Sequence, residues 1–356
     1  MYELRKDPAL GAWVILTPKV TAEEPIAEVG AGRCRFCPGN EALTAPESFA
    51  LREPNTAANG PGWWARTFPL PAPLLSPENE VQRRGIGMYD WASGVGAHEI
   101  LVETPQHDVD VADLTVPQIR EILWAYRARL AALKEDGRFR YAMIIKNHVP
   151  TDDPESHHAH SHVLATPITP KRIKEEYVQC KEYYRRKERC LYCDIIFNEV
   201  HLERRVVEQN KRFVAICPYA SRFPYELTLL PLQHSSCFDT VDSEDISDLA
   251  AILKKVLLRL RAALGECGYA WVLHSGPNRQ SKRSPDYWRT IELDYHWHIE
   301  LVPVGAASAG RPGGRGERRQ WWPSHGFDWG LDLFVCGVKP EEAAEHLRSV
   351  RGDEPR

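Results

Sequence analysis

Two stretches of the chain repeat the same order of hydrophobic and polar positions. The apolar runs EILVETPQH (residues 99–107) and ELTLLPLQH (226–234) each contain a proline and end in Gln-His. Apolar residues follow each run at the spacing of one helix face, and then come a glycine and a strand-like run that starts with Tyr-Ala. The helix-face residues are Ile119, Ile122, Leu123, Tyr126, Leu130 and Leu133 in the first stretch and Ile246, Leu249, Leu253, Val256, Leu260 and Leu264 in the second. The pattern predicts a strand, a helix and a second strand in each half.

The two stretches are copies of one unit. Tyr141 follows His107 and Tyr269 follows His234 at distances that differ by one residue, and each copy then reaches a run containing His-x-His. This agreement predicts an internal duplication of an α+β unit with an antiparallel sheet flanked by helices. A charged, helix-favouring segment, PITPKRIKEEYVQCKEYYRRKERC, joins the copies. We therefore place the two units at residues 1–170 and 171–356.

A Cys-x2-Cys pair precedes each copy, as CRFC (34–37) and CLYC (190–193). This spacing lets one tight turn present two thiolates to a tetrahedral metal, although a redox dithiol has the same spacing. We expect neither pair to open a helix, which is where a redox dithiol lies, so metal binding is favoured. The remaining cysteines are predicted to be buried apolar residues; they are Cys180, Cys217, Cys237, Cys267 and Cys336.

The duplication groups these cysteines with histidines into two parallel sets. The first set is Cys34, Cys37, His107 and His158, and the second is Cys190, Cys193, His234 and His296. Cys2His2 without a vacant position is the composition of a structural zinc site. The alternative is that some of these residues are ordinary packed side chains. The sequence thus predicts two zinc sites.

The stretch HHAHSH (157–162) places His158, His160 and His162 at alternate positions, so a strand would direct all three to one face. If His158 binds a metal, His160 lies on the same face and can attack phosphorus as a neutral imidazole. His162 would then donate to a phosphoryl oxygen and stabilise the charge of transfer. The alternatives are a solvated histidine-rich loop, or spectator roles for the last two histidines.

Bulk composition excludes some classes of protein. The chain has 356 residues, a formal net charge of −4, 43% hydrophobic and 26% charged residues, as in an ordinary globular protein. Near-neutral charge argues against a nucleic-acid partner, and no long apolar run predicts a membrane span. The start, MYELRKDPALGAW, lacks the apolar core of a signal peptide, and the odd count of nine cysteines favours reduced thiols. We therefore expect a cytoplasmic protein.

The motifs together resemble the galactose-1-phosphate uridylyltransferase family of the histidine-triad superfamily, which includes ADP-glucose and diadenosine-tetraphosphate phosphorylases. RCRFCPGNEALTAPE is similar to the zinc loop of this family, and GAHEILVETPQHD is similar to its central strand. HAHSHVLATP resembles its active strand, while PYASRFPYELTLLPLQH, YHWHIELVP and VKPEEAAEHLRSV resemble its second half. The resemblance covers nearly the whole chain and implies two tandem histidine-triad-like units.

The resemblance also implies a ping-pong mechanism. His160 would attack the α-phosphorus of a nucleotide sugar, release a sugar 1-phosphate and pass the nucleotidyl group to a second sugar phosphate or to inorganic phosphate. Cys34, Cys37, His107 and His158 would bind zinc, and the protein would be a homodimer. His298 occupies the nucleophile position of the second copy, but Glu300 replaces its partner, so we interpret that copy as structural.

The chain departs from the family pattern near the nucleophile. His162 stands where the family has glutamine, and the segment NHVPTDDPES lacks the usual glycine-rich turn. Asn147 and Ser156 remain as candidate substrate-binding residues. The leading prediction is a UDP-glucose:hexose-1-phosphate uridylyltransferase. The alternatives are an ADP-glucose or dinucleoside-polyphosphate phosphorylase, a histidine-triad-like hydrolase, and a non-catalytic zinc-stabilised binding protein.

Overall fold

The computed structural model of the protein describes residues 3–16, 34–71, 73–78, 80–148, 157–265, 267–281, 288–304 and 330–350. The strands are β1 (Glu3–Lys6), β2 (Trp13–Leu16), β3 (Phe49–Arg52), β4 (Trp63–Pro69), β5 (Arg83–Ile86), β6 (Tyr89–Ser93), β7 (Ala97–Val102), β8 (Tyr141–His148), β9 (His160–Thr166), β10 (Val206–Gln209), β11 (Phe213–Ile216), β12 (Leu227–Pro231), β13 (Gly268–His274) and β14 (His298–Val304). The helices are α1 (Val116–Lys134), α2 (Lys171–Lys187), α3 (Leu191–Leu202), α4 (Ser243–Leu264), α5 (Ile291–Asp294) and α6 (Pro340–Ser349). The fold is α+β, as predicted.

Both copies contribute to one antiparallel sheet of ten strands, with the order β10-β11-β12-β14-β13-β8-β9-β7-β4-β3. Read from its outer edge inwards, the first half (β3-β4-β7-β9-β8) has the same strand order as the second half (β10-β11-β12-β14-β13). The halves meet where β8 pairs with β13, with Asn147 opposite Ala270 and Ile145 opposite Val272. The predicted duplication is confirmed, and the structure adds that the two sheets are continuous. A separate four-stranded sheet has the order β2-β1-β6-β5.

The two long helices α1 and α4 pack against each other and cover one face of the large sheet. Each begins at a side-chain cap. Thr115 and Gln118 form a reciprocal capping box at α1, and the carboxylate of Asp242 accepts the amides of Glu244 and Asp245 at α4. All of the predicted helix-face residues are buried in this core, except Leu264, which is partly buried. Helical periodicity therefore identified the core face correctly.

The opposite face of the sheet carries the histidines that the sequence predicts to be functional. Along β9, Val163 and Ala165 face the α1–α4 core, so His160, His162 and Leu164 emerge on the other side. Leu164 packs there in a cluster with Ile173 and Tyr177 of α2, among other residues. The helix α2 starts at Lys171, next to the expected boundary, and the division into units 1–170 and 171–356 remains a prediction.

Two further expectations concern burial and membranes. Cys180 and Cys217 are buried as predicted, whereas Cys237, Cys267 and Cys336 are only partly buried. Within the ranges given above, none of the helices combines the length and the apolar character needed to cross a bilayer.

Candidate active site and metal centres

The N-terminal cysteine loop, the segment after β7 and the start of β9 bring four metal-type ligands together. The Sγ atom of Cys34 lies 3.6 Å from Nδ1 of His158, and Sγ of Cys37 lies 3.6 Å from Nδ1 of His107 and 3.7 Å from Nδ1 of His158. The two Nδ1 atoms are 3.4 Å apart. A tetrahedral zinc ion, with bonds of about 2.3 Å to sulfur and about 2.0–2.1 Å to nitrogen, needs S···N separations of about 3.6 Å and N···N separations of about 3.3 Å. The four side chains therefore fit a closed zinc site.

Hydrogen bonds orient these ligands. Nε2 of His158 donates to the carbonyl oxygen of Thr104 at 2.7 Å, so the ring proton is on Nε2 and the Nδ1 lone pair faces the cysteines. Burial lowers the pKa of His158, which favours the neutral form that binds metals. In the loop, the amide of Cys37 donates to the carbonyl oxygen of Cys34 at 3.3 Å, which closes the turn.

The second set, Cys190, Cys193, His234 and His296, has the same arrangement. The Sγ atom of Cys193 lies 3.3 Å from Nδ1 of His234 and 3.7 Å from Nδ1 of His296. Both imidazoles donate from Nε2 to backbone carbonyl oxygens at 2.9 Å, so their Nδ1 lone pairs also face the thiols. This set also fits a Cys2His2 site.

The expectation that neither cysteine pair opens a helix is wrong for the second pair. Cys190 is the residue before α3, and Cys193 lies in its first turn. The apolar positions of LYCDIIFNEV support a helix there, and its free amides favour a thiolate. A hydrogen bond with Cys190 lowers the pKa of Cys193. Two imidazoles at ligand distance distinguish this pair from an isolated redox dithiol.

His160 is held as a neutral imidazole, and within the part of the chain that the structure describes nothing hydrogen-bonds to its Nε2. It is the first residue of β9, and Nδ1 donates to the carbonyl oxygen of His158 at 2.8 Å. A carbonyl only accepts, so the proton is on Nδ1 and Nε2 carries a lone pair. Burial, together with the charge of Lys146, lowers the pKa of His160. Phe36 of the cysteine loop packs on the ring, with centroids 5.2 Å apart. The cysteine loop and the segment that leads into β9 therefore position the ring of His160 jointly.

His162 lies on the same face and pairs with a histidine that the sequence had not indicated. Nε2 of His98 lies 3.0 Å from Nδ1 of His162, and the backbone amide of Leu74 donates to Nδ1 of His98 at 3.1 Å. Burial lowers the pKa of both imidazoles to about 4. Both rings are thus neutral near pH 7.

Comparison with known proteins agrees with this site. Residues 3–170 match the galactose-1-phosphate uridyl transferase N-terminal domain, and residues 175–304 match the C-terminal domain of the same family. The chain belongs to the galactose-1-phosphate uridylyltransferase family. The resemblance inferred from its motifs is confirmed.

Similar proteins within the family carry two different activity names. The chain is 27% identical to an ADP-glucose phosphorylase of Arabidopsis thaliana over 98% of this chain and 93% of that protein. It is 25% identical to a galactose-1-phosphate uridylyltransferase of Thermotoga maritima over 98% and 99% of the two chains. A solved uridylyltransferase mutant is 28% identical, covers 98% and 97% of the two chains and superimposes with a TM-score of 0.77.

A buried ionic brace, which sequence reasoning missed, lies beneath strand β9 of this family member. We use "brace" for Glu103, Lys146, Tyr126 and Ser161. The Glu103 carboxylate accepts from Lys146, from the Tyr126 hydroxyl and, at 2.6 Å, from the Ser161 hydroxyl. Lys146 also donates to the carbonyl oxygen of His160 at 3.1 Å. The signal was a charged residue in each of two mainly apolar runs, because a buried charge costs free energy unless it is paired.

The second copy repeats the ring-to-carbonyl hydrogen bond of His160 but buries the corresponding ring of His298. Nδ1 of His298 donates to the carbonyl oxygen of His296 at 3.1 Å, as His160 does to His158. His298 is only 1% exposed, and Tyr192 covers it with centroids 4.8 Å apart. The ring of His160 is only partly buried. The exposure of this histidine therefore differs between the two copies, which agrees with the prediction that the second copy is structural.

A third group of potential ligands surrounds His298. It consists of Glu176, His274, His298 and Glu300. Glu300 already accepts from Arg172 and Arg222, each at 2.8 Å. Burial alone would raise the pKa of Glu300, but His274 and the two arginines lower it well below its usual range. The negative charge of Glu300 is thus already compensated by neighbouring positive side chains, which distinguishes this group from the two Cys2His2 sets.

The two predicted substrate-binding residues have different outcomes. Asn147 is exposed on β8, two residues beyond Ile145, which pairs with His162. It therefore lies on the sheet face that carries His160. Ser156 lies outside the described residues, as does most of the segment NHVPTDDPES before the active strand.

Proposed function

We propose that this protein is a nucleotidyltransferase that acts on nucleotide sugars through a covalent nucleotidyl-histidine at His160. The observation that carries the proposal is the hydrogen bond from Nδ1 of His160 to the carbonyl oxygen of His158. It assigns the proton to one nitrogen and leaves the lone pair of Nε2 for attack. UDP-glucose:hexose-1-phosphate uridylyl transfer is the leading activity, since the family takes its name from it.

The proposed reaction has two displacements at phosphorus. In the first, the Nε2 lone pair forms an N–P bond with the α-phosphorus, and the P–O bond to the departing sugar 1-phosphate breaks. In the second, a phosphate oxygen of the acceptor attacks the same phosphorus, and the N–P bond returns its electrons to Nε2. His162 would donate to the phosphoryl oxygens in both steps. With a sugar 1-phosphate as acceptor the product is a new nucleotide sugar, and with inorganic phosphate it is a nucleoside diphosphate.

We further propose that both Cys2His2 sets bind zinc. A closed site supplies no open position for substrate, so zinc would have a structural role there. The first Cys2His2 set includes His158, whose carbonyl oxygen orients His160. Phe36, which packs on His160, lies between the two cysteines of this set in the sequence. Thiolate ligands need reduced cysteines, which fits the expected cytoplasmic location. The homodimer implied by the family resemblance remains part of this proposal.

Metal analysis of the purified protein is expected to give two zinc ions per chain. Cys37→Ser is expected to lower the content to one and to reduce activity, because the loop that packs on His160 loses its anchor. Cys193→Ser is the matched change in the second copy; it should also remove one zinc, with a smaller loss of activity at equal folding. Retention of two zinc ions in Cys37→Ser would contradict the first site.

The transfer chemistry can be tested by isotope exchange. With UDP-glucose and labelled glucose 1-phosphate as the only substrates, label is expected to enter UDP-glucose, because the first displacement is reversible without a second acceptor. The same exchange is measured with ADP-glucose in place of UDP-glucose. Exchange with ADP-glucose would favour the second candidate function, an ADP-glucose phosphorylase. That candidate is supported by the full-length similarity to the Arabidopsis thaliana protein. Nucleotide release without exchange would indicate a hydrolase, and no reaction of any donor would indicate a binding protein.

A further inference from the structure

The pair formed by His98 and His162 determines where each ring carries its proton. The amide of Leu74 donates to Nδ1 of His98 at 3.1 Å, and a backbone amide has no acceptor function. Nδ1 of His98 is therefore unprotonated, and the neutral ring carries its proton on Nε2. That nitrogen lies 3.0 Å from Nδ1 of His162, so it donates to it. Neutral His162 then has its own proton on Nε2.

The strands hold this pair in place. On β7, His98 is opposite Leu164 and Ile100 is opposite His162, so the two histidines are diagonal neighbours on one sheet face. His98 is 7% exposed, and Leu74 belongs to the loop before β5. The ring of His98 contacts the backbone amide of Leu74. The ring of His162 lies next to that of His160, and the centroids of these two rings are 5.7 Å apart. Among the described residues, none accepts a hydrogen bond from Nε2 of His162.

We propose that His98 is a positioning residue that fixes the tautomer of His162, so that His162 presents an Nε2–H donor to phosphoryl oxygens during nucleotidyl transfer. This inference rests on the proposed function. A glutamine amide carries a donor in any protonation state, whereas a neutral imidazole offers either a donor or an acceptor at a given nitrogen. The chain of hydrogen bonds from Leu74 gives the histidine the donor that a glutamine would supply.

The first test reads the tautomer directly and needs no substrate. The protein, uniformly labelled with ¹⁵N-histidine, is examined by long-range proton–nitrogen NMR near pH 7, and His162→Gln assigns the signals of His162. We expect Nε2 of His162 and of His98 to carry the protons, with both Nδ1 atoms unprotonated. A proton on Nδ1 of His162 would overturn the inference whatever the activity of the protein.

The second test is a double-mutant cycle on turnover. His98→Phe keeps a ring but cannot donate, so His162 loses its tautomer bias; we expect kcat to fall about 10-fold, which is less than the about 10²–10³-fold cost of losing a whole oxyanion donor. KM should stay within about 2-fold, because the donor acts on charge that develops in the transition state. His98→Gln, which can accept from Leu74 and donate to His162, is expected to recover most of kcat.

The same change is made in His162→Gln, whose amide donor does not depend on a tautomer. There we expect His98→Phe to change kcat by less than about 2-fold, because the coupling runs through His162. An equal loss in both backgrounds would overturn the inference and leave His98 a packing residue. If the unmodified protein transfers no nucleotidyl group while NMR shows the expected tautomers, the proposed function fails and the His98–His162 pairing is supported.

Discussion

His160→Ala is expected to lower kcat for nucleotidyl transfer by about 10³-fold or more, because removing a covalent nucleophile eliminates the route in which both displacements occur. Folding should change little. The ring of His160 is only partly buried, and Phe36 and the carbonyl oxygen of His158 are its described contacts on the metal side. Initial rates with UDP-glucose and ADP-glucose, each with galactose 1-phosphate and with inorganic phosphate, measure the loss.

The matched control is His157→Ala. His157 belongs to the same histidine run but is exposed, and the proposed reaction gives it no role. Its kcat should stay within about 2-fold of the unmodified protein, as expected for a surface change away from the site. If His160→Ala keeps more than a tenth of the activity at equal folding and zinc content, the covalent route is wrong.

Lys146→Met is expected to destabilise the protein by about 3–5 kcal/mol, the usual cost of leaving one charge of a buried ion pair without its partner. Both side chains of the pair are almost fully buried, with exposures of 1% for Lys146 and 0% for Glu103. The change also removes a donor to the carbonyl oxygen of His160, so kcat should fall as well. Urea unfolding monitored by tryptophan fluorescence measures the free energy of unfolding.

Adding Glu103→Gln to Lys146→Met is expected to recover part of the stability. The amide oxygen can still accept from Tyr126 and Ser161, and no unpaired charge remains. Lys171→Met is the control, because Lys171 pairs with Glu175 on the surface of α2 at 3.5 Å and such a pair contributes about 0–1 kcal/mol. A loss in Lys146→Met no larger than in the control would show that the brace does not stabilise the strand.

Local patterns were enough to predict the repeated unit and its ligands. Helical periodicity identified the core faces of α1 and α4, and the parallel order of cysteines and histidines selected the eight residues of the two Cys2His2 sets. These signals succeed because each depends on residue type and spacing within one copy. The placement of His160 two residues after the candidate ligand His158 was predictable for the same reason, although β9 begins only at His160.

Features that depend on contacts between strands were not predictable. YAMIIKN and YAWVLHS are both mainly apolar, and their composition does not indicate that β8 and β13 pair at the centre of one sheet. Glu103 and Lys146 belong to separate segments of the sequence, and only the positions of β7 and β8 on either side of β9 bring the two side chains together as an ion pair. His98 contacts His162 through a diagonal register between β7 and β9. The helix that follows Cys190 was not predicted, because a Cys-x2-Cys spacing is compatible both with a tight turn and with the first turn of a helix.

The covalent intermediate is the central claim, and intact-mass spectrometry tests it most directly. The protein is mixed with UDP-glucose or with ADP-glucose, without acceptor, quenched under non-acidic conditions because a phosphoramidate is acid-labile, and compared with His160→Ala. A mass increase of one nucleotidyl group, absent in His160→Ala and lost after acid treatment, is the result we predict, and the donor that gives it identifies the base. Samples of the unmodified protein are quenched before one turnover is complete. If the donor is consumed in them and no adduct is found, the proposed mechanism is contradicted.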